Sequence, residues 1–253
     1  MDALIVLAHP EPSSFNAQLK DVAADTLGAM GYGILLSDLC AQGFDPVEGP
    51  RHYQTRKRPE RFEAQTEQRH ASDTDGLPAD VAAEIDKLKR ADLVLFQFPM
   101  WWFSMPAILK GWIDRVFVYG GLYTSRMRYD QGYFRGRRAM LSVTTGAPGP
   151  THGPSGRNAD IDLLLWPLQF TLHYMGYGVL PSFVASGVEG SLAYSTPEAV
   201  AARLEGHKAA LRAQLSRLDD LEPLPFNGWD DWDAEGKLKP GAASYSPFVR
   251  HPA

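Results

Sequence analysis

The sequence predicts an α/β protein built on a parallel sheet with helices on both faces. Three observations carry that prediction. Residues 3–8, 92–98 and 139–145 are short apolar runs without alternation, the pattern of strands buried on both sides. Segments of helical spacing separate such runs, so strand and helix alternate five times. After the third run comes Phe98-Pro99-Met100-Trp101-Trp102-Phe103-Ser104-Met105-Pro106. Proline donates no backbone hydrogen bond, so this stretch must leave the sheet as a stiff loop at the strand's carboxyl end. Open α/β sheets bind ligands there, and a stiff aromatic loop suits one side of a flat conjugated ring. The competing reading is a hydrophobic plug under a loop.

The elements follow in order. After the first strand, His9-Pro10-Glu11-Pro12-Ser13-Ser14 leads into a helix with Phe15, Leu19, Val22, Leu27 and Met30 at helical spacing. Ser13 or Ser14 suits its N-cap and Gly31 its stop. Residues 34–36 form a second strand. Residues 45–76 are polar and basic and read as an insertion with one short helix. Pro78 fits the first turn of a helix carrying Val81, Ile85 and Leu88 on one face. Residues 92–98 are strand three, 107–118 an amphipathic helix and 139–145 strand four. A loop over 146–156, an apolar helix over 161–175, a fifth strand within 179–188 and a final helix over 197–218 complete the domain, residues 1–218. From 219 to 253 the periodicity stops, yet Trp229, Trp232, Tyr245 and Phe248 make the extension too aromatic for a simple disordered end. It is expected to pack on the body or on a partner subunit.

Composition limits the function. The chain has 253 residues, 44% hydrophobic and 22% charged, with net charge -5, so nothing global attracts nucleic acid or acidic membranes. Two basic clusters, Arg51 to Arg69 and Arg126 to Arg138, read as solvated loop faces, with a nucleotide-phosphate contact from one of these arginines as the alternative. Cys40 is the only cysteine. That excludes an intramolecular disulfide and a thiolate-rich zinc site, and no metal is expected. Met1-Asp2 runs into a strand without a basic n-region or apolar h-region. The most apolar stretch, 163–172, is too short to span a bilayer. The reading is cytoplasmic.

The first strand–helix loop contains no glycine, so a G-x-G-x-x-G fingerprint is absent. It still offers helix N-terminal N–H groups, the Ser13 and Ser14 hydroxyls and His9 to a phosphate; an ordinary capped helix is the alternative. The loops after strands one, three and four (9–16, 99–103 and 144–149) all emerge at one sheet edge. One brings phosphate donors, one flat apolar contact and one glycine-permitted backbone N–H groups, which together suit a flavin.

The segments Ala3-Leu4-Ile5-Val6-Leu7-Ala8-His9, Ser14-Phe15-Asn16, Gln97-Phe98-Pro99, Trp102-Phe103, Pro106-Ala107-Ile108-Leu109-Lys110-Gly111-Trp112, Arg115-Val116-Phe117, Tyr123-Thr124, Tyr129-Asp130, Thr144-Thr145-Gly146 and Trp166-Pro167 carry a resemblance across residues 3–206. The chain resembles the NAD(P)H:quinone oxidoreductases of the flavodoxin-like fold, the DT-diaphorase family. The resemblance implies sheet order 2-1-3-4-5, a homodimer, a tightly bound flavin and two-electron hydride transfer to quinones by a ping-pong mechanism, with NADH or NADPH as donor. Length and insertion look like the longer, FAD-binding members rather than the FMN-binding ones. Nitroaromatic or azo reduction, and a flavin-binding regulatory subunit of a potassium-efflux system, are the alternatives, separated by turnover with a small quinone.

Residue by residue, the resemblance puts His9, Ser14, Phe15 and Asn16 at the cofactor phosphates and ribityl chain. Pro99, Met100, Trp101, Trp102 and Phe103 would lie beside the isoalloxazine, with Thr144, Thr145, Gly146 and Ala147. Tyr123 would face the substrate pocket, and Trp102 and Tyr174 would build a stacking platform. The family's loop tyrosine and histidine near the flavin are replaced by His152 and Asn158, read here as catalytic with Tyr123. Otherwise His152 is an exposed loop residue and Asn158 a helix N-cap. A second pocket tyrosine is Ser125, and the arginine near the adenine is represented by Arg203, slightly offset.

Overall fold

The computed structural model describes residues 1–188 and 196–252. In chain order the elements are β1 (Asp2–Leu7), α1 (Phe15–Ala29), β2 (Gly33–Asp38), α2 (Ala64–Asp73), α3 (Ala79–Arg90), β3 (Ala91–Pro99), α4 (Ala107–Val116), β4 (Arg138–Thr145), α5 (Ile161–Tyr174), β5 (Gly178–Val179), β6 (Phe183–Ser186) and α6 (Pro197–Leu215). The sheet runs β2-β1-β3-β4-β5 with every pairing parallel, and β6 also pairs with β4.

The expected fifth strand is interrupted. β5 meets β4 at Arg138 and Ala139, and β6 meets it again from Ser142 to Thr145. Pro181 lies between them, and its missing N–H breaks the ladder. α6 stops at Leu215, three residues short of the expected end, and a 3-10 turn carries Leu218 into the core. Pro78 is the residue just before α3 rather than part of its first turn.

Strand alternation divides the core. Leu4, Val6, Val94, Phe96, Phe98, Leu141 and Val143 pack with α3, α4 and α5 on one face. Ala3, Ile5, Leu93, Leu95 and Met140 pack with α1 and α6 on the other. Period-two side-chain direction explains the split, and burial on both faces explains why the strands read as continuous apolar runs.

Buried charges lock the periphery on. Glu84 of α3 is 3% exposed; its carboxylate accepts from the Ser37 hydroxyl of β2, the Trp112 indole of α4 and Lys87. Arg115, 1% exposed, donates to Asp80 and to the carbonyl of Asp45, with its guanidinium 4.9 Å from the Phe44 ring centre. The insertion comes so close to α4 that a Cβ on Gly111 would meet the Pro46 carbonyl oxygen at 2.1 Å, so only glycine fits there. Within the insertion, α2 presents the fully buried Glu67 to the backbone N–H groups of Lys57 and Arg58, at 2.7 and 3.0 Å, and to the Arg56 guanidinium. Arg51, Arg58 and Arg61 pair with Asp45 and Glu63, so the first basic cluster is largely neutralised rather than simply solvated.

The C-terminal extension lies along α5. Leu224 N–H donates to the Val179 carbonyl, His173 Nε2 lies 2.9 Å from the Asn227 carbonyl oxygen, and Trp229 N–H donates to Asp130. Phe226 stacks on His173 and Phe248 on Trp166. Among the described residues no helix is long and apolar enough to cross a membrane.

Burial opposes ionisation of Glu67, but the two backbone N–H groups and Arg56 outweigh it and hold its carboxyl below the ordinary range. A carboxyl depressed on folding stabilises above its unfolded pKa, about 4.3, and loses that contribution as pH falls through the lower folded value. Glu67→Gln should therefore cost roughly 1–3 kcal/mol at neutral pH. The melting-temperature gap between wild type and variant, measured across a pH series, should be constant above about pH 5 and close below the ordinary glutamate range.

Candidate functional site

The chain leaves β1 toward β2 on one side and returns to β3 on the other, so the order reverses between β1 and β3. A crevice opens at the carboxyl ends of those strands. Its floor is one buried hydrogen-bonded cluster. Asn16, 4% exposed, donates from its amide to Thr144 Oγ1 at 3.0 Å and accepts from Gln97 Nε2 at 2.9 Å. Asn16 lies in the first turn of α1, and Gln97 and Thr144 lie near the ends of β3 and β4, so three loops are referenced to one polar knot. The Asn16 side chain is thus engaged with protein partners, which leaves its backbone N–H as the group it can offer a ligand.

His9 and Ser14 stand on the first loop. His9 Nδ1 accepts from the Glu11 N–H at 3.0 Å, which leaves Nε2 to carry the proton. Ser14 is the N-cap, accepting from Ala17 N–H at 3.1 Å. Ser13, read from sequence as a phosphate donor, instead gives both its N–H and its hydroxyl to Glu11, and these bonds hold the Glu11 carboxyl below its ordinary range. The N–H groups of Phe15 and Asn16 meet no acceptor among the described residues. Phe15 is half-buried and edges against His207 of α6.

The aromatic loop is tighter than the sequence suggested. Pro99 is still sheet, paired with Thr144, and Met100 N–H donates to the Thr144 carbonyl at 2.8 Å. Trp101 and Ser104 then exchange N–H···O bonds of 2.9 and 3.0 Å around a two-residue turn. Trp102 and Phe103 occupy its centre at φ 49° and 62°, the left-handed geometry of a type I′ turn, which glycine and asparagine normally fill. Side chains there cost on the order of 1–2 kcal/mol each. The strain displays three rings to the outside: Trp101 is 46% exposed, Trp102 94% and Phe103 51%. The Trp101 ring lies 6.0 Å from His9, so the first and third loops meet across the crevice.

The loop after β4 forms the remaining wall. Thr145 is buried and donates from its hydroxyl to the Ala147 carbonyl. The N–H groups of Gly146 and Ala147 meet no acceptor among the described residues. His152 is not an exposed loop residue: it is 6% exposed, and its Nδ1 is buried without a partner. Asn158 is not the helix N-cap, which is Asp160. Instead Asn158 braces the loop, donating to Thr151 from its side chain at 3.0 Å and from its backbone at 2.8 Å. Arg203 donates to the Gly187 carbonyl just past β6.

Tyr123 and Tyr174 sit elsewhere. They line a cleft of about 330 Å³ with Gln65, Ile113 and Thr171, and their rings meet edge to face at 5.8 Å. Burial raises the Tyr123 phenol above its ordinary range, against a hydrogen bond from Gln65 that lowers it; at neutral pH it is protonated. A second hollow of about 630 Å³ under Trp101 and Trp102 shares Ile113 and Thr171 with this cleft, so an apolar trough joins the aromatic turn to the two tyrosines. Ser125 is exposed and does not line that cleft.

Sequence reasoning missed Gln97 and Gln65. A lone amide inside an apolar strand was a signal for Gln97. Nothing local marks Gln65, whose Nε2 reaches Tyr123 from the insertion at 3.3 Å.

Residues 1–215 match the sequence model of the flavodoxin-like fold. The chain is 38% identical over 226 residues to NAD(P)H dehydrogenase (quinone) 1 of Cavia porcellus, spanning 88% of this chain and 79% of that protein. It is 39% identical over 224 residues to the ribosyldihydronicotinamide dehydrogenase (quinone) of Homo sapiens, spanning 88% and 94%. A Klebsiella pneumoniae structure assigned as a quinone reductase superposes with TM-score 0.86 at 35% identity, over 96% of this chain and 97% of that one. With the family match over residues 1–215, these identities and the sheet order 2-1-3-4-5, the chain belongs to the flavodoxin-like family, on the branch of the NAD(P)H:quinone oxidoreductases.

Proposed function

We propose that the protein is a cytoplasmic, FAD-dependent NAD(P)H:quinone oxidoreductase that works as a homodimer by a ping-pong mechanism. The observation that carries this reading is the convergence of unpartnered donors and exposed flat rings on one crevice. The N–H groups of Phe15, Asn16, Gly146 and Ala147 and the buried His152 Nδ1 need partners. The rings of Trp101, Trp102 and Phe103 stand largely uncovered. A flavin satisfies both sets, so the residues fit the group. When bound, it supplies two-electron hydride chemistry.

The chain's own residues do the rest. The α1 N–H groups receive phosphate, and the strained turn sets the plane of the ring without needing to reorganise. Gly146, Ala147 and His152 would hold a bound flavin as fixed donors, an arrangement that is most effective in a water-poor site. Tyr123, held by Gln65, donates from a protonated phenol toward a substrate oxygen. Donor and acceptor use the same trough in turn. Binding energy comes from the protein, and redox chemistry from the cofactor.

Trp102, Phe103, Leu163 and Phe248 are large apolar side chains left 94%, 51%, 36% and 55% exposed. Twofold pairing is the commonest way to cover such a surface, and it would bring one subunit's tyrosine cleft against the other's crevice.

Purified protein should be yellow and release FAD; protein that stays colourless with either flavin overturns the reading. Light scattering should report a dimer at micromolar concentration, and a fully active monomer would refute the pairing. His152→Ala should slow flavin reduction by roughly 10²–10³-fold with flavin content unchanged, and His152→Gln should recover part of it; rapid mixing of the reductive half-reaction decides. Replacing Trp102-Phe103 by Asn-Gly, the pair this turn geometry favours, should raise the unfolding free energy of the flavin-free protein by about 1–2 kcal/mol while lowering kcat/KM for quinone at least about tenfold. Chemical denaturation and steady-state kinetics read the two effects separately.

A further inference from the structure

One face of α2 is laid against the loop that carries Tyr123. Gln65, Gln68, Arg69 and Ser72 recur at helical spacing, so they share that face. Gln68, 3% exposed, accepts from the Tyr119 N–H at 3.1 Å and donates to the Asp114 carbonyl of α4 at 3.0 Å. The Arg69 guanidinium lies 5.2 Å from the Tyr119 ring centre. Gly120 turns at φ 93°, and a Cβ on Gly121 would meet Ser72 Oγ at 2.6 Å. Two successive glycines thus let the loop lie close on the helix.

Gln65 stands at the end of that face and lines the tyrosine cleft. Its Nε2 donates to the Tyr123 hydroxyl oxygen at 3.3 Å, and the direction of this bond matters. An oxygen that accepts from Gln65 turns its own proton away from Gln65. Among the described residues that proton meets no acceptor. The ring is pinned between Tyr119 and Tyr174, which meet it edge to face at 5.4 and 5.8 Å. A pinned phenol whose only polar neighbour is a donor keeps its proton for whatever enters the cleft.

We propose that Gln65 is a positioning residue for the acceptor step: by donating to Tyr123 it commits the phenol proton to the cleft and so selects acceptors that present an oxygen there. The face of α2 is its support, through Gln68 on Tyr119 and α4. The inference deepens the oxidoreductase reading and rests on it for what occupies the cleft. A carboxylate at the same position does the opposite. It accepts rather than donates, so it draws the phenol proton to itself and turns only oxygen lone pairs toward the cleft. Glutamine and glutamate have nearly one shape, so comparing them isolates the direction of the bond.

The kinetic arm of the test uses flavin-loaded full-length protein. Gln65→Leu should lower kcat/KM for a small quinone roughly 2–10-fold, the worth of one hydrogen bond, and Gln65→Glu should lower it further. Ferricyanide takes electrons without needing the phenol proton, so in Gln65→Leu its kcat/KM should change less than about twofold. In a Tyr123→Phe background Gln65→Glu should cost nothing more, because it acts through the phenol. The second arm needs no turnover: the Tyr123 ring is titrated by NMR in flavin-free protein carrying isotope-labelled tyrosine. Burial raises this phenol and the Gln65 bond opposes the rise, so Tyr123 should titrate higher in Gln65→Leu, and highest beside the negative charge of Gln65→Glu. Tyr119, Tyr174 and Asp114 are the other titratable groups at the cleft, and they are the same in all three proteins. Quinone activity in Gln65→Glu equal to wild type, additive losses in the double variant, or a Tyr123 titration unmoved by either substitution overturns the proposal alone. Flavin-loaded wild type that turns over neither quinone nor ferricyanide overturns the oxidoreductase reading, and the proposal with it.

Discussion

The hydrogen bonds among Asn16, Gln97 and Thr144 are the constraint on which the site depends. All three residues are at most 4% exposed, and each closes a different segment: the entry to α1, the end of β3 and the end of β4. A buried amide without partners costs on the order of 1–3 kcal/mol, so the three must hold one relative geometry. Because the loop after β1, the aromatic turn and the His152 loop each adjoin one of these residues, their separations are set by the core rather than by the loops. An apolar replacement would keep the sheet and lose the registration.

On that rigid base the protein places strain and exposure. Trp102 and Phe103 occupy a turn geometry that suits glycine and asparagine, and Trp102 stands almost wholly in solvent. Neither feature helps the isolated chain fold. Both become useful when a flat ligand or a second subunit covers the rings, because a turn that is already fixed loses little entropy on binding. The same logic applies to the unpartnered N–H groups of Gly146 and Ala147: polar groups left unsatisfied at one sheet edge are a description of what should bind there.

The two segments outside the basic fold are attached by different means. The insertion is wound around buried charge, through Glu67 on the backbone of Lys57 and Arg58 and through Arg115 on Asp80 and Asp45, and Gly111 lets it approach α4 closely. Its reward is Gln65, which reaches Tyr123. The C-terminal extension is attached by stacked rings on α5, and its tryptophans enclose Arg128 together with the loop before β4. Each segment thus contributes to one end of the trough that starts at the aromatic turn.

The sequence by itself determined the α/β class, nearly every element and the edge of the sheet where the site lies. The apolar runs of β1, β3 and β4 and the helical spacing of α1, α3 and α4 are short-range signals, written in neighbouring residues. It also marked the aromatic loop, because prolines at its two ends cannot carry the ladder onward, although Pro99 itself still closes β3. It left Ser13 as a phosphate donor, the N-cap alternative open for Asn158, and the fifth strand whole. Only the tertiary structure showed Asn16 bound to residues 81 and 128 positions away, Ser13 held by Glu11, Asn158 bracing Thr151, and β5 and β6 parted at Pro181. It alone gathered Arg128 with Trp229, about a hundred residues apart in the chain. Periodicity reports which face of an element is apolar, but the partner of a polar side chain is chosen across the fold, and no local pattern records that choice.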